Sequence, residues 1–296
     1  ILARRGGAVL RSPTTFYSSL YRPILSEEAT QADLVFMLRQ AIERFGVGWV
    51  RLDLMAVEDP IFARMEDALG CIGLKVHRHF CHGNWYLPVN GRSYEQYFQG
   101  LSSQVRHTVL RRRRKFFAEG RGTLSLFTQV DDIDAAIRDW NAIYGASWKK
   151  PEPFTGFMPG LIQLCAEKGW LRMGLAKLDG IPIAAQIWIV NGGRASIYKL
   201  AYDERYARYS AGTLLTDFLM RQALDVDRVQ EVDYLVGDDR YKKDWMSHRR
   251  ERWGMVAYNP RRVMGLYGLG REYAIRALKG TCKPTKTLLP KGMKPD

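Results

Sequence analysis

Apolar residues along the first ninety positions change twice from a helical to a strand spacing. From Leu34 to Phe45 they recur every third or fourth residue, which predicts an amphipathic helix stopped by Gly46. The next segment, "WVRLDLMAV", alternates like a half-buried strand. A second round follows, with "PIFARMEDALGCIG" helical behind Pro60 and "LKVHRHF" extended, before "NWYLPVNGRS" turns the chain. The pattern predicts a small α/β layer.

A longer pattern with clearer turns begins at Ser93. It predicts a helix over residues 94–119, a strand in "TLSLFTQV" and a helix over 132–147 with Asp131 or Asp132 as its N-cap. After the loop "KKPEPFTGFMPG" we expect one further short helix.

Three apolar segments then follow one another closely: "WLRMGLAKL", "IPIAAQIWIV" and "RASIYKLAY". Asp179-Gly180 and Gly192-Gly193 separate them, and two-residue turns of this kind indicate antiparallel hairpins. Residues 170–202 should therefore form a meander. Beyond it we expect a helix in "SAGTLLTDFLMRQAL", a strand in "VQEVDYLV", a short helix and a strand in "RERWGMVAY".

Composition places the chain among globular proteins that bind anionic partners. Of the 296 residues 46% are hydrophobic, and 45 Lys and Arg stand against 31 Asp and Glu, giving a net charge of +14. This balance favours nucleotide phosphates, nucleic acid or an acidic membrane surface. The four cysteines form no C-x-x-C pair, and no apolar run reaches the length of a membrane span. We expect a cytoplasmic protein, with peripheral attachment to the inner membrane face as the alternative location.

The stretch "RYSAGT" contains the residue types that hold a phosphate group. A helix N-terminus offers backbone N–H groups and a favourable dipole to an anion. Gly212 lets a ligand approach the backbone, Ser210 and Thr213 can cap or donate, and Arg205 and Arg208 lie just upstream. The alternative is that Ser-Ala-Gly-Thr only caps the helix.

Basic residues cluster in "RRRRK" at positions 111–115. At about 100° per residue these arginines spread around most of a helix, and Arg112 falls in the middle of its apolar face. Arg112 must therefore snorkel, pair with an acid or point into a cleft. We regard Arg106 and Arg111 to Arg113 as candidate contacts to an anionic substrate, with a solvated helix face as the equal alternative.

The stretch "HRHFCHG" contains zinc-ligand residue types. Alternation places His77, His79 and Cys81 on one strand face, but their spacing is tight for a structural zinc and a fourth ligand is missing. We therefore predict a polar strand face and no metal.

The order of elements, with these loops, resembles the catalytic half of the GNAT acyltransferase superfamily. More narrowly, residues 93–258 are similar to the acetyltransferase-like proteins of cellulose and exopolysaccharide biosynthesis (the CelD/BcsL-like group), distant relatives of the Fem peptidyltransferases. The matching motifs are "DGIPIAAQIWIV", "YKLAYDERYARYSAGTLL" and "DYLVGDDRYKKDW", with "RSYEQYFQGLSSQVRHTVLRRRRKF" and "GASWKK" as weaker ones.

The resemblance implies a mainly antiparallel α/β sheet flanked by helices, in two GNAT-like halves of which the first is shortened. The corresponding division is residues 1–92, a catalytic half over 93–258, and a basic tail over 259–296. The tail should contain a packed helix over 262–279 followed by a loose basic end, and the alternative is that it lies on an acidic membrane surface.

The resemblance also implies a site at the end of two strands that splay apart around an acyl thioester. Its donor side, for acetyl-CoA or another acyl-CoA, would be formed by Tyr198, Arg205, Arg208, Ser210, Ala211, Gly212 and Thr213. The glycine spacing departs by one residue from the superfamily's Q/R-x-x-G-x-G/A pattern. Its acceptor side would add Trp148, Lys199 and Tyr202.

Catalysis would fall to the segment after the second of these strands. By resemblance to the aromatic-lysine pair of the Fem relatives, Lys242 would stabilise the oxyanion or bind an acceptor anion, and Tyr241 would protonate the leaving thiolate. Asp238 or Asp239 would accept a proton from an amine or hold its ammonium. The alternative is that one of these acids caps the next helix while the lysines are solvated.

We therefore expect an acyl-CoA-dependent N-acyltransferase that acts by direct transfer on an amine of a sugar, lipid or amino compound, without a metal. A small molecule or a glycolipid would be the acceptor. An aminoacyl-tRNA-dependent Fem-like transferase and a non-catalytic scaffold of a polysaccharide pathway are the alternatives.

Overall fold

The computed structural model describes residues 3–5, 9–129 and 133–281. In chain order its elements are β1 (Ala3–Arg5), β2 (Val9–Arg11), α1 (Gln31–Arg44), β3 (Trp49–Ala56), α2 (Pro60–Cys71), β4 (Lys75–Pro88), α3 (Tyr94–Gly100), α4 (Ser103–Phe117), β5 (Gly122–Phe127), α5 (Ile133–Gly145), α6 (Phe157–Glu167), β6 (Leu171–Leu178), β7 (Ile181–Asn191), β8 (Arg194–Tyr202), α7 (Ala211–Arg221), β9 (Glu231–Asp233), α8 (Lys242–Trp245), β10 (His248–Tyr258) and α9 (Val263–Thr281).

The chain divides into two compact units. The first unit comprises residues 1–82 and 251–296, and the second comprises residues 83–250. The functional division at residues 93–258 stays a prediction.

In the first unit, α1 and α2 cover one face of a sheet. Thr30 caps α1 in a capping box with Asp33, and Asp59 caps α2. The apolar stripe of α1 is buried with α2 against the inward residues of β3, such as Val50 and Leu52. Strand β3 pairs with β2 in parallel and with β10 antiparallel. The predicted helix-strand alternation is confirmed here.

The predicted turn in "NWYLPVNGRS" begins later than expected. Strand β4 continues to Pro88, because Tyr86 to Pro88 pair with β9. The chain turns instead at Asn90-Gly91, where φ is 53° and 70°.

In the second unit, strands β5 to β9 form a sheet in the order β9-β8-β7-β6-β5, antiparallel except for the pair β8–β9. The predicted meander is confirmed. Both residues of each turn have positive φ, 52° and 78° at Asp179-Gly180 and 55° and 74° at Gly192-Gly193. Positive φ at both central residues matches the twist of the flanking strands. Helices α5 and α6 pack on one sheet face and α7 on the other. The predicted fold class, a mainly antiparallel α/β sheet flanked by helices, is confirmed.

Three predicted boundaries are wrong. The helix over 94–119 is two helices, because Leu101 is extended and Ser102 caps the start of α4. The α-helix in "SAGTLLTDFLMRQAL" ends at Arg221. A wider π-helical turn over residues 222–226 replaces its predicted last turn. Strand β9 ends at Asp233 rather than at Val236. The proposed caps Asp131 and Asp132 lie outside the described residues, as does the tail beyond residue 281.

Candidate functional site

An opening between β8 and β9 lies at the edge of the parallel pair in the second unit. The strands pair from Arg194–Glu231 to Ser196–Asp233, and there β9 ends. Strand β8 continues to Tyr202 without β9 beside it. The two strands therefore cease to pair before the carboxyl end of β8, at the place where the resemblance implies that they splay apart.

A β-bulge in β8 directs two side chains to one face of the sheet. Ile187 pairs with Lys199 and Trp188 with Ile197, so that Tyr198 is the additional residue. Bulges reorient side chains near active sites. Tyr198 packs against the cluster that includes Tyr144 of α5, and the Lys199 ammonium lies 5.5 Å from the Tyr144 ring centroid. Lys199 also pairs with Glu152.

Asp233 fixes the path of the chain where β9 ends. Its buried carboxylate accepts hydrogen bonds from Asn84, from the Leu235 backbone N–H at 2.6 Å and from Arg250 at 2.6 Å. Arg250 also donates to Asn84 and Glu231. Leu235 has a φ of 54°, which is unusual for a branched side chain. The carboxylate thus holds a strained turn that ends the strand.

Lys242 lies inside the loop that follows. Its side chain is 6% exposed, its ammonium donates to the Val236 carbonyl and pairs with Asp239 at 3.1 Å, and it lies 5.7 Å from the Tyr234 ring centroid. Gly237, with φ of 107°, leaves space for this ammonium, since a Cβ there would lie 2.9 Å from Nζ. The lysine is therefore desolvated and held rather than solvated.

The short helix α8 supports Lys242. Tyr241 is its N-cap, and no described side chain caps it, so the alternative in which Asp238 or Asp239 caps this helix is wrong. Trp245 is buried, and its carbonyl accepts from the Tyr97 hydroxyl at 2.8 Å. Tyr241, 45% exposed, meets the Tyr234 ring edge-on at 5.8 Å.

Asp238 and Asp239 have different surroundings. Asp238 accepts from the Trp85 indole at 2.8 Å and from the Arg249 guanidinium at 2.7 Å. These partners lower its pKa below the ordinary value, Arg249 most strongly. The Asp239 side chain is 51% exposed and pairs with Lys242. The Asp238 side chain is 47% exposed, so the two acids differ in their partners rather than in their exposure.

Lys149 lies among the candidate site residues, although the sequence did not predict it. Burial, together with the nearby Lys199 and Lys242 ammonium groups, lowers its pKa to about 8. Its ammonium lies 5.6 Å from the Trp148 ring, and Trp148 in turn lies 4.5 Å from Tyr202. Its position next to Trp148 in "GASWKK" was the available signal. We call Lys149, Lys199, Lys242, Glu152 and Asp239 the lysine cluster.

The N-terminus of α7 lies beside Tyr202. Ser210 occupies the N-cap position with a left-handed backbone, φ 52° and ψ 42°, and its side chain makes no capping hydrogen bond. The Ser210 side chain therefore does not cap the helix, and for this residue the alternative in which the stretch serves only as a cap is wrong. A Cβ on Gly212 would lie 3.9 Å from the Tyr202 ring, and Gln186 donates to the Gly212 carbonyl at 2.7 Å. Ala211 is buried, whereas Thr213 is half-buried.

The predicted basic contacts separate into two groups. Arg112 donates to the Arg208 carbonyl at 2.6 Å, and Arg208 stacks on Tyr209, so both lie at the approach to α7. Arg112 was predicted to snorkel, pair with an acid or point into a cleft, and its described partner is a backbone carbonyl rather than an acid. Arg205, with a side chain 77% exposed, pairs with Asp203. Arg106 donates to Gln99 of α3, and Arg111 is exposed on α4.

The histidines of "HRHFCHG" have separate environments in the first unit. His77 packs between the rings of Tyr258 and Tyr273. His79 lies 2.8 Å from the Asp53 carboxylate, and donor atoms of Asp53, His79 and Cys81 all lie within 4.8 Å of one another. The hydrogen bond that His79 donates to Asp53 raises the pKa of His79 to about 9, so the imidazole is charged at neutral pH. The expectation of no metal stays a prediction.

Comparison with known proteins finds one family model that is similar to part of the chain. Residues 103–243 match a family model described as an acetyltransferase (GNAT) domain. A search of curated proteins finds no match.

Solved structures match over most of the chain at low identity. The C-terminal domain of a putative lysylphosphatidylglycerol synthetase from Agrobacterium fabrum is 12% identical, with a TM-score of 0.59, over 90% of this chain and 82% of that one. FemX is 11% identical, with a TM-score of 0.57, over 77% of each chain. L-PGS from Bacillus licheniformis is 13% identical, with a TM-score of 0.56, over 93% of this chain and 85% of that one. These likenesses show the fold, while the narrower CelD/BcsL-like resemblance stays a prediction. Residues 103–243 are thus similar to a GNAT acetyltransferase domain, and the chain shares its fold with FemX and with lysylphosphatidylglycerol synthetase domains.

Proposed function

We propose that this protein is an acyl-CoA-dependent N-acyltransferase that transfers an acetyl or longer acyl group directly to an amine of a sugar, lipid or amino compound. The observation that carries the proposal is a continuous set of contacts at the opening between β8 and β9. It runs from Gly212 at the start of α7 through Tyr202 and Trp148 to Lys149, whose charged neighbours include Lys242. The N-terminus of α7 and a cluster of poorly solvated cations therefore adjoin one another.

The donor would bind with its pyrophosphate at the N-terminus of α7. The backbone N–H groups of Ala211 to Thr213 belong to the first helical turn, where the helix dipole also favours an anion. Arg208 and Arg112 add positive charge at this end. Arg205 serves the donor less directly, because its guanidinium is engaged by Asp203.

The thioester carbonyl would then lie in the opening, within reach of Lys242. The amine nitrogen attacks the carbonyl carbon, and the resulting tetrahedral intermediate carries a negative oxygen. A held, poorly solvated ammonium stabilises such an oxyanion more strongly than a solvated one. Collapse of the intermediate breaks the carbon–sulfur bond and releases the CoA thiolate, which Tyr241 would protonate. Burial and Asp239 raise the pKa of Tyr241, so its phenolate would at once regain a proton from solvent on its exposed side.

The proton lost by the attacking amine would pass to Lys149. With a pKa of about 8 this lysine is partly neutral at physiological pH, so it can accept a proton. Asp239 would hold the incoming ammonium before it loses its proton. We assign Asp238 to holding the loop through Trp85 and Arg249, rather than to proton transfer.

A second candidate is transfer from an aminoacyl-tRNA, as the Fem resemblance implies. The fold similarity to FemX and the net charge of +14 favour it. A non-catalytic scaffold of a polysaccharide pathway is the third candidate, and in that case Lys242 would be dispensable.

Ligand binding separates these candidates. We would measure thermal stability with acetyl-CoA, longer acyl-CoAs, free CoA and bulk tRNA at physiological salt. A ligand at about 100 times its dissociation constant stabilises by roughly 2.7 kcal/mol, or about 2 °C or more for a chain of this size. A shift with one acyl-CoA, followed by release of free thiol when an amine is added, supports the proposal. A response to tRNA alone supports the second candidate, and a response to neither contradicts both.

A further inference from the structure

Helix α9 in the first unit exposes apolar side chains to solvent. Val263 is 83% exposed, Tyr267 67% and Leu266 54%. At about 100° per residue, Val263, Tyr267, Gly270 and Ala274 fall on one side of the helix. Leu266 lies at one margin of this side and Arg271 at the other. A surface helix of a globular protein normally directs a polar face outward, so this orientation requires an explanation.

Close packing fixes the orientation of the helix. A Cβ on Gly265 would lie 2.0 Å from the Asn259 carbonyl oxygen, and one on Gly268 would lie 2.6 Å from the Tyr258 ring. The two glycines therefore form the contact face, and only glycine allows this approach. A roll of the helix that buried Tyr267 would replace these contacts with clashes. The apolar side is directed outward by the fold itself.

The charges around the exposed side are almost all positive. Residues 259–281 contain five Lys and Arg and one acid, Glu272, so the described part of this stretch carries a net charge of +4. Glu272 pairs with Arg276 at 2.8 Å. Arg262 and Arg271 are exposed at the start and at the margin of the apolar side.

We propose that the outward side of α9, with Val263, Leu266 and Tyr267 at its centre, binds an anionic lipid surface as an interfacial helix. Its apolar side chains would enter the boundary between headgroups and acyl chains, while Arg262 and Arg271 contact lipid phosphates. Tyrosine suits this depth, because its ring is apolar and its hydroxyl polar. Among the described residues, no helix is long and apolar enough to cross a membrane, so α9 would lie along the surface.

The charges favour this partner over two others. A second copy of the chain would place two basic helices against each other, and like charges at close range repel. Nucleic acid would engage the arginines but would leave the exposed leucine and valine without a role. A membrane with acidic lipids uses both features at once.

Vesicle co-sedimentation of the full chain tests the proposal. The probes are phosphatidylcholine vesicles with and without phosphatidylglycerol. We would compare an apolar variant, Leu266→Ser with Tyr267→Ser, and a charge variant, Arg262→Gln with Arg271→Gln. The matched control is Phe36→Ser with Met37→Ser, because these side chains are each 63% exposed on α1, a helix with no net charge.

The wild type should bind only the vesicles that contain phosphatidylglycerol. The apolar variant should weaken binding about tenfold or more. The charge variant should weaken it by about tenfold, and added salt should do the same. The control should bind like the wild type, and all variants should keep the wild-type melting temperature.

Three results would overturn the proposal. The wild type could fail to bind anionic vesicles. The apolar variant could bind as tightly as the wild type, which would indicate that charge alone drives vesicle binding. The wild type could instead show a concentration-dependent dimer, by light scattering, that the apolar variant abolishes, which would assign α9 to a second copy.

Discussion

Two clusters of charged side chains, one in each unit, show opposite effects of their surroundings. In the first unit, Asp53 bonds to Arg51 and His79, its pKa falls to about 2, and that of His79 rises to about 9. Each group is therefore driven toward its charged form. In the second unit, burial and the neighbouring lysines lower the pKa of Lys149 to about 8, away from its charged form.

Under the proposed function, the difference separates a structural cluster from a reactive one. Where opposite charges satisfy one another, folding gains from the pairs and no group is close to changing its protonation state at neutral pH. Where like charges are confined, one group stays close to neutral and can exchange a proton. On this basis we place proton transfer in the lysine cluster and assign the Asp53–His79 pair to stability.

The largest expected effect comes from removing the Lys242 ammonium. Lys242→Met should lower kcat by about 100-fold to 1000-fold, as expected for loss of an oxyanion-stabilising group. Steady-state release of CoA thiol measures it. Lys243→Met is the matched control, because Lys243 is the exposed neighbour on the same short helix. Equal losses in the two variants would place the effect outside the site.

The hairpins and the strand exit show what could be predicted from sequence. The meander was predictable because Asp179-Gly180 and Gly192-Gly193 select their turn type locally. The early end of β9 was not predictable, because the apolar pattern continues through Leu235 and Val236. The Asp233 carboxylate ends this strand by holding the Leu235 N–H, and its other partners come from distant parts of the sequence.

The site was predictable to a similar extent. Lys242, Asp239 and Gly212 follow from motifs, and the structure places them around the opening between β8 and β9. Lys149 could not be predicted from a motif, because its lowered pKa arises from burial and from lysines that are distant in sequence. Likewise, Asp238 and Asp239 are adjacent and chemically identical, and only their tertiary partners distinguish them.

The next effect concerns the pH dependence of the reaction. If neutral Lys149 accepts the proton, activity should rise with pH through about 8 and then level off. Lys149→Gln should lower kcat about 10-fold to 100-fold and remove this inflection, while any titration of the acceptor amine remains. The pH profile of kcat for both proteins is the measurement. An inflection that survives in the variant would assign the titration to another group.

A smaller effect should appear in stability rather than in activity. Asp53→Asn should destabilise the first unit by about 1–3 kcal/mol, because it leaves Arg51 and His79 without their shared acid. The raised pKa of His79 stabilises the folded state, and this contribution is complete at pH values below 6.5, the ordinary pKa of histidine. It is lost as pH rises through about 9. The lowered pKa of Asp53 stabilises the folded state at pH values above 3.8, the ordinary pKa of aspartate. This contribution is lost as pH falls through about 2.

Thermal unfolding at several pH values measures both losses. The wild type should lose stability toward pH 9, and Asp53→Asn should lose less over this range, because its His79 has no acid to pair with. A melting temperature of Asp53→Asn equal to that of the wild type at neutral pH would contradict the structural role of Asp53.

The smallest effect tests whether neighbouring charges set the pKa of Lys149. Glu152 raises that pKa and pairs with Lys199, so Glu152→Gln should lower the pKa further. The rise of activity with pH should then shift to lower pH while the plateau changes little. Asp139→Asn is the control, because it removes an acid from another lysine pair of the second unit, Asp139–Lys177 at 2.8 Å. A shift to higher pH, or the same shift in the control, would show that confinement with Lys199 and Lys242 does not govern the reactive lysine.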